Sequence, residues 1–478
     1  MRFGEIKKVN RALSTGSKTL DSGRWTLDSV IWGAVMKKYT LITILLFSMS
    51  GLLFLGACGG GGGDSSPGPI MLVSVNSSGV AGSNDSEEAT VSRDGRYVAF
   101  VSTATNLVTD DTNGDYDIFL HDVQTGITSR VSVSTAGSQG GGPPGSTASF
   151  YPDISYDGRF VAFEGEPVDF VPDDTNDSYD IFLRDTLTPL TTRVSVSTAG
   201  SEGDSDSYRP AISGDGRYVA FHSASENLVP GGPMGIQQVF LRDTQSFITS
   251  MVSVSSAGTP GDSISNYPDI SSDGRYVVFE SSGTNLVPGV SNVYKDIYLH
   301  DTQTEMTSKV SVSTAGSEAN ANCSEPAISG NGRYVVFNSG ASNLVPGDDN
   351  AQTDVFLHDV QTEITSRVSV STGGTQAGSG CWYPDVSEDG RYVVWESNSD
   401  NLVSDDNNNA TDIFVRDTQT NTTSRISVNA AGEEGNGDSY YPAISADGRY
   451  VVFDSDADNL VTGTIPAGAR QIYRAPVK

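Results

Sequence analysis

The sequence predicts an all-β fold, a seven-bladed β-propeller of four-stranded antiparallel blades. Three observations predict it. The first is a repeat. The core Asp-Gly-Arg-(Tyr/Phe)-Val begins at Asp94, Asp157, Asp215, Asp273, Asp389 and Asp447, and stands as Asn-Gly-Arg-Tyr-Val at Asn331. The first interval is 63 residues and the next five are 58 each. A fixed period of this size marks one supersecondary unit stacked many times. The second is the pattern within a unit: short apolar runs separated by turn residues, with no helical periodicity. The third is length, since the 409 residues from 70 to 478 hold seven units of 58.

The unit around Asp215 shows why each element forms. Pro210-Ala-Ile-Ser213 is a short apolar run, and Gly214-Asp215-Gly216 follows it. Asp-Gly between two apolar runs is a hairpin signal, because the turn needs positive φ. Tyr218-Val-Ala-Phe221 is apolar on both alternating faces, as a strand buried on both sides must be. After the polar loop at Asn227-Leu-Val-Pro230 come a third run, Val239-Phe-Leu-Arg-Asp243, and a fourth, Met251-Val-Ser-Val254. Four antiparallel strands buried on both faces need neighbours, and radial packing supplies them while leaving only short edges. A linear solenoid stacks its strands in parallel, which Asp-Gly hairpins do not make.

The chain ends predict how the ring closes. The last unit stops at its third strand, Gln471-Ile-Tyr473, while Leu72-Val-Ser-Val75 resembles the fourth-strand segment Arg130-Val-Ser-Val133. Leu72–Val75 is therefore expected to complete the last blade. Antiparallel pairing also places the Arg after each Asp-Gly beside the Asp that ends strand three. Arg96, Arg159, Arg217, Arg275, Arg333 and Arg391 should meet Asp122, Asp185, Asp243, Asp301, Asp359 and Asp417, while Pro476 stands in place of that Asp for Arg449.

Ahead of the repeats, residues 1–35 show no propeller unit and read as an upstream extension. Met36-Lys-Lys38 opens a basic segment, and an apolar run follows to Leu55-Gly-Ala-Cys58. A basic start, a short apolar core and small closing residues make 36–57 a secretory signal. Leu-Gly-Ala-Cys resembles the bacterial lipobox, which implies lipidation at Cys58 and, by sorting analogy, an outer-membrane lipoprotein held by that anchor alone. Residues 58–69, rich in Gly, Ser and Pro, read as a flexible tether ahead of a 70–478 propeller.

Charge narrows the partners. The chain carries 29 Lys/Arg and 59 Asp/Glu, of which 8 and 4 fall before residue 70; the repeats keep 21 and 55, a net of −34. Nucleic acid is excluded as a partner on this ground, and a monomer engaging another envelope protein or a polysaccharide is expected. Cys323 and Cys381 stand one period apart in equivalent loops of adjacent blades. In an oxidising compartment a disulfide between them is the expectation; two free buried thiols are the alternative.

Loops joining strand four to one and strand two to three share one face. They are the long ones, and they lengthen the period beyond the roughly 40–45 residues of WD repeats. Function is expected there. One candidate is the two-to-three loop, Asp111-Thr-Asn113-Gly-Asp115-Tyr-Asp117 in blade one and Asp174, Asn176 and Asp180 in blade two. Oxygen side chains on alternate residues can converge on calcium, and the spacing is similar to the loops of integrin-type propellers, with the Gly misplaced. Ordinary Asp/Asn turn-forming is the other account. A second candidate is an aromatic set just before the innermost strand, Tyr151, Tyr208, Tyr267, Trp382, Tyr383, Tyr440 and Tyr441, with Glu88 and Glu325 in blades one and five. These should ring the channel mouth and could hold sugars or a peptide. Catalysis finds no motif: no nucleophile elbow, no His-Glu-x-x-His and no zinc spacing. His121, His300 and His358 share a repeat position with Arg184, Arg242 and Arg416.

The composite pattern Pro-x-Ile-Ser-x-Asp-Gly-Arg-Tyr-Val-Ala-Phe, then Asp-Ile-Phe-Leu-x-Asp, then Arg-Val-Ser, resembles the WD40-like repeat of TolB-type propellers over residues 70–478. The resemblance implies an extracytoplasmic propeller used as a protein-binding platform. The chain departs from TolB in lacking its N-terminal α/β domain, in its blade number and in its own lipid site. The expected function is a non-catalytic protein-binding or scaffolding module acting through its acidic long-loop face. The alternative is a carbohydrate-binding or carbohydrate-cleaving propeller, with Arg209 as the basic residue at the mouth.

Overall fold

The computed structural model describes residues 69–140, 148–166, 170–172, 174–232, 235–291 and 293–478. The upstream extension, the signal stretch, Cys58 and the tether through residue 68 lie outside the described residues. Within them, strands β1 (Met71–Leu72) to β28 (Gln471–Pro476) form seven four-stranded antiparallel sheets. Six blades take four consecutive strands each. The seventh pairs β26 (Ser439–Ile444), β27 (Tyr450–Ser455) and β28 with β1, so the N-terminal strand completes the last blade as the sequence predicts.

The ladder of that closure is short. Met71 and Leu72 face Arg474 and Tyr473, and beyond it the Val73 N–H donates to the Ile472 carbonyl at 2.8 Å. Packing extends the closure, because Val98, Phe100 and Phe119 of blade one share a core with Val452 and Ile472 of blade seven. The other cores likewise span neighbouring blades, as Val336 and Val355 of blade five do with Trp395 and Phe414 of blade six. Strand two is buried on both faces for this reason: one face meets each neighbour.

The Asp-Gly turn does two jobs, and Gly158 shows both. Its φ is +73°, where L-residues are strained, and an added Cβ would lie 2.1 Å from the Tyr97 ring of the preceding blade. The turn therefore also seats one blade beneath the next. The following Arg meets its Asp in all six blades where the Asp exists, at 2.6–2.8 Å. In blade seven, where Pro476 replaces the Asp, Arg449 pairs with Asp447 instead at 2.6 Å.

The cysteine expectation is overturned. Cys323 and Cys381 are free and buried. Each begins strand one and points at strand two of its own blade, with Sγ 3.4 Å from the Oγ of Ser339 and of Ser397. Other blades place Ser there, as in the Ser86–Ser102 hydroxyl pair at 2.9 Å. The position faces along a blade, not across to the neighbour, so the two thiols have no route to each other. The strand histidines stay structural: His121, His300 and His358 hold a strand-four Thr at 2.8–2.9 Å, and Arg184, Arg242 and Arg416 hold the same Thr position at 2.9 Å.

Candidate functional site at the propeller axis

Strand one of each blade enters from the long-loop face and runs along the axis. In blades one to seven its pairing with strand two skips two residues. The first skipped residue has positive φ in every blade: Glu88, Tyr151, Arg209, Tyr267, Glu325, Tyr383 and Tyr441, at 47–55°. The second is proline in six blades, at a point where no ladder N–H is needed. This bulge turns one side chain per blade to the axis. Non-glycine residues in this region are strained, and such strain concentrates where a side chain must be aimed.

The seven residues line an axial pit of about 300 Å³. The structure thus divides the aromatic set. Tyr151, Tyr267, Tyr383 and Tyr441 face the pit, but Tyr208, Trp382 and Tyr440 do not, because each precedes the bulge and pairs with strand two. Tyr208 packs on Tyr179 and His222, at 5.7 Å each, and Tyr440 lies beneath Arg470 at 4.4 Å. The third member of the ring is Arg209, turned inward. Its guanidinium lies 3.3 Å from the Tyr151 ring centre and 4.8 Å from that of Tyr267. On the facing side Tyr383 and Tyr441 pack at 4.6 Å.

Carboxylates back this ring. Glu88 accepts from the Tyr151 N–H at 3.0 Å, Glu164 from Arg209 at 2.7 Å, Glu325 from Tyr383 at 3.0 Å and Glu396 from Tyr441 at 2.9 Å. Each acid occupies the N–H that the bulge frees in the next blade. Burial pushes Glu88, Glu164 and Glu396 up to about 7. The buried His222 is pushed down to about 3, by burial and then by Arg209, so its imidazole is neutral. Glu164, Glu280, Glu396 and Asp454 went unread in the sequence, and His222 stood out only as a histidine outside the shared repeat position. The signal was there: each follows the aromatic of a doubly buried strand two.

Deeper in, Asp153, Asp269 and Asp385 come from alternate blades. Each accepts the N–H of the next blade's strand one, from Ile212, Ile328 and Ile444, at 2.6–2.8 Å. Burial lifts Asp269 to about 8 and Asp385 to about 6. Below them lies a second, smaller axial cavity of about 110 Å³ that shares the three Asp and is crowded by Tyr156. Tyr156 reaches across from blade two until an added Cβ at Gly330 of blade five would lie 2.1 Å from its hydroxyl. Arg93 and Glu388 bridge at 2.7 Å beside it. The pit is open at the long-loop end and narrows toward the Asp-Gly end at the three Asp, Tyr156 and the Arg93–Glu388 pair.

The acidic loops at the perimeter are different in kind. Asp111 and Asp117 face Arg130 of strand four at 3.3 and 3.2 Å. Asp174 and Asp180 face Arg193 at 3.2 and 2.9 Å, with Glu202 at 2.8 Å. Asn113 and Asn176 stay in the turns: the Asn113 side chain accepts the Asp115 N–H at 3.4 Å, and Asn176 donates to the Gly203 carbonyl at 2.8 Å. The calcium expectation is corrected on this geometry, since a guanidinium stands where the dication would have to sit. No metal-holding group of acids, His or Cys occurs among the described residues. The rule extends round the ring: strand three opens with Asp where strand four offers Arg or Lys, and Gln238 and Gln471 accompany Met251 and Leu72.

No protein-family model and no curated protein matches the chain. Among solved structures it is similar to an oligogalacturonate lyase in complex with manganese, at 13% identity over 87% of this chain and 95% of that one, with a TM-score of 0.52. It is similar to prolyl endopeptidases at 12% identity, 82% and 48% coverage and a TM-score of 0.51. TolB from Acinetobacter baumannii matches at 12% identity over 71% of this chain and 62% of its own, with a TM-score of 0.37. What is shared at these identities is the propeller. The class is thus a seven-bladed β-propeller, and TolB, whose repeat the sequence resembles, is among its structural likenesses.

Proposed function

We propose that this chain is an exported, lipid-anchored binding module that holds an envelope protein on its long-loop face without catalysing a reaction on it. The observation supporting this is the axial pit, which opens on that face and narrows toward the other. Its lining varies from blade to blade while the rest of the repeat does not. A net charge of −34 over the repeats favours a partner with a basic surface. The anchor is Cys58, and the mass added to the mature chain is lost in Cys58→Ser.

The test places a photo-crosslinking residue at Val293, 91% exposed in a long loop, or at Leu187, 71% exposed in a turn of the opposite face. Discrete protein adducts from position 293 and none from 187 are expected in the host cell. Adducts from 187 alone overturn the reading. A second reading, a carbohydrate-binding or carbohydrate-cleaving propeller, is favoured by the inward Arg209 among tyrosines and by the fold shared with an oligogalacturonate lyase. Crosslinks to glycan in place of protein would favour it.

A further inference from the structure

Arg209 is unlike most arginines of the propeller; Arg474, also without an ion pair and stacked on Tyr450 at 3.5 Å, still spends its edge on the Met71 sulfur at 3.2 Å. Arg96, Arg130, Arg193, Arg367 and Arg425 are each ion-paired, and Arg184, Arg242 and Arg416 donate to threonine and backbone oxygens. The Arg209 guanidinium makes no ion pair or hydrogen bond among the described residues. Only its backbone N–H is engaged, by Glu164 at 2.7 Å. Its faces are covered by Tyr151 and Tyr267. A guanidinium stacked by its faces keeps its N–H edge for a planar acceptor, and it matches a carboxylate two bonds at a time. In so acidic a chain, a half-buried cation that takes none of the carboxylates around it is a site held open.

Two further observations define what enters. The pit narrows at its far end, where Tyr156 crosses the axis and Arg93 pairs with Glu388. A chain end fits such a narrowing site better than a chain that passes through. The volume of about 300 Å³ is on the order of ten waters' share of liquid, which suits a terminal residue and its neighbour. The open guanidinium edge then decides which end, since it takes a carboxylate and repels an ammonium. One cation stands among Glu88, Glu325, Asp153, Asp269 and Asp385, and the surface beyond is strongly negative. A ligand with one carboxylate at its tip is accepted; a polymer with a carboxylate on every unit is repelled.

We infer that the axial pit captures the C-terminal carboxylate of a protein chain, with Arg209 as its anchor and the facing Tyr383–Tyr441 pair against the last side chain. This rests on the protein-binding reading and names the part of the partner that is read.

The test is calorimetric titration of the purified protein with N-acetylated tetrapeptide pools ending in a free carboxylate or an amide, with N-acetylglycine, and with trigalacturonate. The free-acid pool is expected to bind, and amidation to weaken it at least tenfold. Arg209→Gln is expected to lose at least tenfold for the free acid and little for the amide, with Arg209→Lys between. N-acetylglycine binding as tightly as the pool would reduce the site to a small-carboxylate pocket and overturn capture of a chain end. Trigalacturonate binding more tightly, or free acid and amide binding equally or not at all, also overturns it. Adducts at position 293 that persist after such a failure would leave the long-loop platform standing and remove only its carboxylate anchor.

Discussion

The perimeter loops and the axial ring are both rich in carboxylates, and they treat them in opposite ways. At the perimeter each Asp that opens strand three meets a cation from its own blade, as Asp180 meets Arg193 at 2.9 Å and Asp412 meets Arg425 at 3.2 Å. Where the Asp is absent the cation is absent too, in Gln238 with Met251. At the axis the blades present Glu, Tyr, Arg, Tyr, Glu, Tyr and Tyr; Glu88, Glu164, Glu325 and Glu396 are held by backbone N–H groups, Glu280 and Asp454 behind the ring meet Lys295 and Arg470, and the one arginine of the ring is left unpaired. Charge that is balanced blade by blade serves the fold. Charge that is left open and varied serves something outside it.

Removing a perimeter cation should give the largest effect. Lys309→Met leaves Asp296, 1% exposed at its side chain, buried without its partner, and a loss of about 3–5 kcal/mol is expected in denaturant unfolding. Asp296→Gln/Lys309→Met recreates the blade-three combination and should recover most of it. A double variant no better than the single would break the claim that these pairs are coordinated. Next in size, Gly330→Ala forces Tyr156 off the narrow end of the axis, at a cost of about 1–3 kcal/mol.

The axial acids sharpen the comparison through pH. Glu164 is held up to about 7 by burial, against 4.5 unfolded, so between those values the folded state binds the extra proton. Stability contributed by this group is therefore greatest at low pH, falls as pH rises from about 4.5 to 7, and is flat above. Glu164→Gln should flatten that slope in unfolding midpoints taken from pH 5 to 8. Asp359 runs the other way: the Arg333 guanidinium holds it down to about 2, so its contribution is present above the ordinary carboxylate range and lost as pH falls toward 2. The smallest effect expected is that of millimolar calcium, which should leave the midpoint where it is, because Arg130 and Arg193 already occupy the loop acids.

The sequence made the propeller, the closing strand and the six Arg–Asp pairs readable because each recurs at one period and needs only strand alternation. The axial ring was half readable. Tyr383 and Glu88 lie where aromatic and acidic residues cluster, but the bulge decides which of two adjacent residues faces inward, and spacing alone left Tyr208 in the set where Arg209 belongs. The loop acids misled for a physical reason. Alternating oxygens fit a metal or a guanidinium equally well, and the guanidinium arrives from a strand 13 residues away, as Arg193 does to Asp180. The thiols misled likewise, since Cys323 and Cys381 repeat a serine that faces along its own blade.

The account turns on whether Arg209 belongs to the fold or to a ligand, and the unfolding midpoint of Arg209→Gln tests that directly. With no ion pair to lose, and the tyrosine faces and a longer-range attraction to Glu88, Glu164 and Glu325 at stake, the variant should match the parent to within about 1 kcal/mol. A loss on the scale of Lys309→Met would make Arg209 another structural cation and contradict the division between perimeter and axis.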